Sequence, residues 1–263
     1  MKNLIKSEFR KLIYTKSFLG YLGGAAFISL ISSIPAAFSV NAIRSQLKGT
    51  SLMDPALVAE IYGKAISGYL FAMILGIAII GNEYQNGQAI STFLATPKRI
   101  NVLYSKLVVA AGAGIFLMVT STLLGFAGAY FGLQHYPHAK TSVTVFINLM
   151  IASVVSGAVI AIMGVAIGAL VRNVKIAQTG AVIWLVIVEK LIVLFWATGG
   201  KFLPSGLILG MMDININLKS TKKFLDISTA NYFGPGISIT LLLVYAALLA
   251  TLGSWVSLRR DIE

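Results

Sequence analysis

Two places in this 263-residue sequence hold residue types that could support acid–base or metal chemistry. The first is Glu189–Lys190, set inside a long apolar run. An ionisable group at membrane depth costs about 2.5–3.5 kcal/mol on insertion scales and is therefore a functional candidate by default. Adjacent residues on a helix point roughly 100° apart, so the two need not pair with each other. Two readings follow: a working charge inside the membrane, or a pair near the outer third with Lys190 snorkelling to the interface. The second place is the loop Gln134–Lys140, which holds the only two histidines, His135 and His138, with no carboxylate near them. A solvated turn is the better reading there, because a metal site needs more ligands than two imidazoles. The sequence has no cysteine, no HExxH and no GxxxxGK[ST] phosphate loop, so neither thiol chemistry, zinc proteolysis nor ATP hydrolysis is expected of this chain. It reads as a non-enzyme that binds no cofactor of its own.

The elements that would position such groups are membrane spans. The chain is 57% hydrophobic and 11% charged, with a mean hydropathy of +0.85. Soluble domains carry roughly 25% charged residues, so lipid must be part of the solvent here. A span needs about twenty predominantly apolar residues. Six segments meet that need: Phe18–Val40, Ile61–Asn82, Tyr104–Gly132, Thr141–Val171, Ala177–Ala197 and Gly236–Ser257. The expected fold class is an all-α membrane protein with residues 1–17 as an N-terminal helix, 18–257 as a six-span domain and 258–263 as a tail. The basic region before the first apolar run is too long for a signal peptide, which makes Phe18–Val40 a retained span.

The formal charge of +12 has its explanation in topology rather than in nucleic acid. Lysine and arginine cluster in Met1–Ser17, Glu83–Leu103, Arg172–Ile176 and the tail from Leu258, all on one side of the alternating spans. The positive-inside rule puts that side, and both termini, in the cytoplasm. Asp54–Pro55 reads as an N-cap followed by proline at the first helical position, and Glu60 and Lys64 are spaced to pair on the helix surface. Tyr14, Tyr104 and Trp255 fall near predicted interfaces. Gly20/Gly24, Gly128/Gly132 and Gly164/Gly168 have the spacing of close helix contacts. In the outer connection Thr198–Pro235, the apolar stretch Leu207–Met212 is too short to span and reads as a re-entrant or interfacial helix.

The inner connection between spans two and three carries the most specific pattern. Gly87 ends one helix and Pro97 ends whatever follows it. Between them Ile90, Phe93 and Leu94 fall at i, i+3, i+4 spacing. A short helix with one apolar face, followed by Lys98 and Arg99, suits docking into a groove on another protein; an ordinary interfacial helix is the alternative. At the N-terminus, Leu4, Ile5, Phe9, Leu12 and Ile13 form an apolar stripe while Lys2, Lys6 and Arg10 form a basic one. That is the pattern of an amphipathic helix lying on the inner leaflet.

Glu83, Gly87, Pro97, Arg99 and Lys106, together with the six spans, the basic N-terminal helix and Leu203–Pro204 before span six, resemble the permease subunits of type-2 ATP-binding-cassette (ABC) exporters. Gln88 stands where that family often has threonine. The resemblance implies that Gly87–Thr96 is a coupling helix received by a separate ATPase subunit, with Glu83, Gly87, Ile90, Phe93, Leu94, Pro97, Arg99 and Lys106 transmitting its motion. It also implies a second permease copy or a sister permease, ATP and magnesium in the partner ATPase, and a cavity along spans two and five near Tyr69, Met73, Trp184 and Glu189. The expected setting is a bacterial cytoplasmic membrane, and the expected cargo an antimicrobial peptide, drug or other amphipathic compound. A membrane-embedded sensor or immunity subunit that binds peptide without moving it, and a stand-alone secondary carrier, are the other readings.

Overall fold

The computed structural model describes residues 2–44, 55–85, 87, 99–213 and 232–259. Among them, six helices are long and apolar enough to cross a membrane, as the hydropathy pattern requires. Helix α1 (Lys2–Tyr14) leads through Thr15 into span one (Lys16–Arg44). Span two begins at Pro55, breaks into a 3-10 turn over Lys64–Gly68 and resumes as Tyr69–Gln85. Span three is Arg99–Leu133 and span four Val143–Val171. Span five runs from Val174 to Phe195, and span six is Pro235–Arg259. The helix start at Pro55 matches the proline signal, and Lys64 and Glu60 pair at 3.2 Å; Asp54 lies outside the described residues.

Spans two, three and four form the centre, because small residues there let backbones touch. A methyl group added at Gly76 would strike the carbonyl of Ala161, and one at Gly164 the carbonyl of Met73. Gly168 packs likewise against Ile77 and Ile80, so the Gly164/Gly168 pair is the span-four face that meets span two. Gly114 and Gly157 make the corresponding approach between spans three and four. Of the other anticipated pairs, Gly24 packs on Phe71 and Gly128 on Leu30 and Ile34, whereas Gly20 faces open space. At the far end of this core Tyr62, Phe126 and Phe146 pack edge to face, with ring centroids 4.9–5.8 Å apart.

The start of span five differs from the sequence expectation for a local reason. The turn between spans four and five is only Arg172–Asn173, not Arg172–Ile176. Arg172 adopts the left-handed conformation (φ 58°) and its N–H donates to the Gly168 carbonyl, closing span four. The Asn173 side chain then accepts from the Ile176 N–H and opens span five at once. Span five is itself irregular: Ile183–Val188 is a π-helical segment, a form that occurs mostly as single-turn bulges and often at functional sites. Beyond it, the apolar stretch of the outer connection forms a short helix, Pro204–Met211, whose residues are buried except Leu209. It packs against spans four and six, so it is an internal element rather than an interfacial one.

Candidate functional site

At the end of span two that adjoins α1, four side chains of alternating sign close into a ring. Lys106 lies on the second turn of span three and is only 2% exposed, yet it is fully paired: its Nζ is 2.6 Å from Glu8 Oε2 and 2.8 Å from Glu83 Oε1. Lys11 Nζ contacts the same two carboxylates, at 2.7 Å from Glu8 Oε1 and 2.9 Å from Glu83 Oε1. Burying a charge is expensive unless it is paired and hydrogen-bonded, and here each carboxylate meets two ammonium groups. Burial by itself raises the pKa of Glu8, but Lys106 and Lys11 outweigh it and hold the carboxyl below its ordinary value. For Lys11 burial acts downward, and Glu8 and Glu83 overcome it to hold the ammonium above its ordinary value.

The backbone explains the convergence. Leu4, Ile5 and Leu12, which share one face of α1, are its partly buried apolar residues, and Glu8 sits in the middle of that face, 4% exposed. Glu83 is on the last turn of span two, two residues before its end. Next to it the Arg172 guanidinium lies 5.3 Å from the centroid of the Tyr84 ring, tying the end of span four to the same corner. Gly87 follows with φ 67°, a left-handed position that suits glycine, and its N–H donates to the Tyr84 carbonyl.

Of the residues singled out as coupling elements, Glu83 and Lys106 are therefore brought together and Gly87 closes the adjoining helix. Arg99 is the first residue of span three. Ile90, Phe93, Leu94 and Pro97 lie outside the described residues. Glu8 was not singled out, nor was Lys11. The available signal was an acid at the centre of an otherwise apolar helix face, flanked at i−4, i−3 and i+4 by Leu4, Ile5 and Leu12.

A second feature is a cavity of about 780 Å³ between spans two, four, five and six and the short helix. Met73 and Trp184 line it, with Met163 of span four, Gly180 of span five, Pro204 and Tyr245 of span six. Tyr69 and Glu189 are not among its lining residues. Glu189 is fully buried and turned to the short helix, where its Oε2 accepts the Ser205 backbone N–H at 3.2 Å. Leu203, the residue that precedes this helix, offers no side-chain cap, so a carboxylate from span five supplies the acceptor instead. Lys190 is exposed, as the 100° offset between neighbours allows. Glu189 is thus a cap rather than half of an ion pair with Lys190. His135 and His138 each donate a ring N–H to a nearby backbone carbonyl, of Phe131 and Tyr136 respectively.

No protein-family model matches the chain, and no curated protein matches its sequence.

Proposed function

We propose that this chain is the transmembrane permease subunit of an ABC exporter, with a separate ATPase subunit supplying ATP hydrolysis. The observation that carries the reading is the ring Glu8–Lys11–Glu83–Lys106. It links α1 to both ends of the connection between spans two and three, the connection whose apolar pattern suits docking on a partner. A force applied there would pass into spans two and three directly and into α1 through ion pairs, which is the mechanical requirement of a motor-driven permease. Helix α1 fits an interfacial position: Phe9 and Ile13 are about half exposed beside the exposed Lys2, Lys6 and Arg10, as lipid and headgroups would ask. The internal cavity supplies a place for cargo between spans two and five, and a second permease copy or sister chain would complete the pathway. On this reading Ile90, Phe93 and Leu94 face the ATPase, both termini are cytoplasmic, and no covalent chemistry occurs on this chain.

The test is affinity purification of the tagged protein from its native membrane in mild detergent, followed by mass spectrometry. A stoichiometric ATPase bearing a phosphate-loop motif, lost when Phe93 and Leu94 are both replaced by serine, is the expected result. Reproducible purification of the chain alone would overturn the reading and leave a self-sufficient carrier, or a sensor, in its place.

A further inference from the structure

We infer that the cavity between spans two, four, five and six binds an uncharged lipophilic molecule that enters sideways from the bilayer. Its volume of about 780 Å³ falls within the usual range for small-molecule sites, roughly 300–1,000 Å³. Among the residues lining it none is charged, and only Trp184 and Tyr245 carry a polar side-chain group. Neither Glu189 nor Lys201 is among those residues. Glu189 accepts the Ser205 N–H with one oxygen and leaves the other without a hydrogen-bond partner among the described residues, and the Lys201 ammonium lies over the rings of Phe202 and Phe233, at 5.2 and 5.0 Å from their centroids. With no charge in the wall, a charged ligand would lose its hydration without gaining a counter-ion, which is prohibitive in an apolar site.

The shape follows from where the lining residues sit. Val171 and Ile176 flank the Arg172–Asn173 turn at one end of span five, while Pro204 adjoins Ser205, whose N–H is bonded to Glu189 inside that span. The space thus follows span five from Ile176 to Trp184, about 12 Å at 1.5 Å per residue. Entry from the side fits the loose seating of span five, whose Ile183, Val186 and Ile187 are each about half exposed. Met73 and Met163 give the inner wall unbranched side chains that adapt to an irregular ligand. The inference concerns what the cavity holds and stands whether or not a motor subunit drives the chain.

The measurement uses the purified full-length chain in lipid nanodiscs, without any ATPase, and a photoactivatable long-chain alcohol bearing a diazirine. Saturable labelling of cavity residues such as Met73 or Met163, competed by unlabelled hexadecanol and not by an equally long quaternary ammonium compound, is expected. A side chain on Gly180 would start in open space, since nothing lies within 4 Å of a methyl group placed there. Gly180→Phe should therefore fold and lower the labelling by roughly tenfold, equivalent to about 1.4 kcal/mol. Gly20→Leu, on span one and equally uncrowded, should leave it unchanged. Labelling that does not saturate, that the ammonium compound competes equally well, or that persists in folded Gly180→Phe would overturn the inference. Should Gly180→Phe not fold, the competition pair decides alone: selective displacement by hexadecanol upholds the inference and its absence sinks it.

Discussion

Lys106 shows how little freedom a buried ammonium has. With both of its partners on other elements, it holds Glu8 and Glu83 together at distances where two carboxylates alone would repel. Replacing it by methionine keeps the length of the side chain but leaves two poorly hydrated carboxylates sharing only Lys11. Removing one member of a buried network of this kind costs about 3–5 kcal/mol, so Lys106→Met should lower the thermal midpoint in detergent sharply. Adding Glu8→Gln to that variant should recover part of the loss, because it removes the uncompensated charge. The ring also sets a pH window. Glu8 has a folded pKa below its ordinary 4.5, so its contribution is present above that value and is lost as pH falls through the lower folded one. Lys11 is raised above its ordinary 10.5, so its contribution is present below that value and fades as pH rises through the higher folded one. The wild-type ring should hold between those limits. In Lys106→Met the acid limit should move to higher pH, since the strongest influence holding the Glu8 carboxyl down is gone. A stability profile against pH in which the variant and wild type are parallel would mean that the ring carries no coupling.

At the scale of elements, the short helix Pro204–Met211 depends on a residue fifteen positions before it. Its first turn has free N–H groups and a leucine where a cap belongs, and Glu189 provides the acceptor from across the fold. Glu189→Leu should destabilise the packed outer segment by about 1–3 kcal/mol, the cost of stranding a buried donor, and Glu189→Gln should lose less because an amide oxygen still accepts. Proteolytic susceptibility of the connection between spans five and six would report the difference; equal behaviour of the leucine and glutamine variants would remove the capping role. How much of this was legible beforehand varies with the physics involved. Span number was readable because lipid imposes twenty-residue apolar runs, and the Pro55 start was readable because proline acts locally. The Glu189 cap and the Glu8–Lys106 pair were not, since they join residues brought together only by packing, the latter 98 positions apart in sequence. Asn173 is the intermediate case: its capping chemistry was visible, but the charged neighbours Arg172 and Lys175 made a longer loop the natural reading.

For the whole molecule, the distribution of burial separates a core from a periphery. In the most apolar window of spans two and four 61% of residues are buried within the chain, against 17% for spans one and five and 22% for span six. Spans two and four are thus held by the chain itself, while one, five and six present apolar surface to lipid or to a second copy. This arrangement places α1, the charge ring and the Arg172–Asn173 turn at one membrane face, and the loop Gln134–Lys140 at the other, because six crossings alternate. The sequence has no cysteine, so single introduced thiols report on topology without a background to remove. Ser7, Lys175 and Lys140 are all exposed and suit replacement by cysteine. On the orientation proposed above, the bias of lysine and arginine places the face that carries α1 in the cytoplasm. A membrane-impermeant maleimide applied to intact cells should therefore label Lys140→Cys, and should reach Ser7→Cys and Lys175→Cys only after permeabilisation. The opposite pattern would keep the six spans and invert the molecule, moving the docking connection away from any cytoplasmic ATPase. Labelling of Ser7→Cys and Lys175→Cys from different sides would break the alternation itself, and with it the six-span architecture on which the transport reading rests.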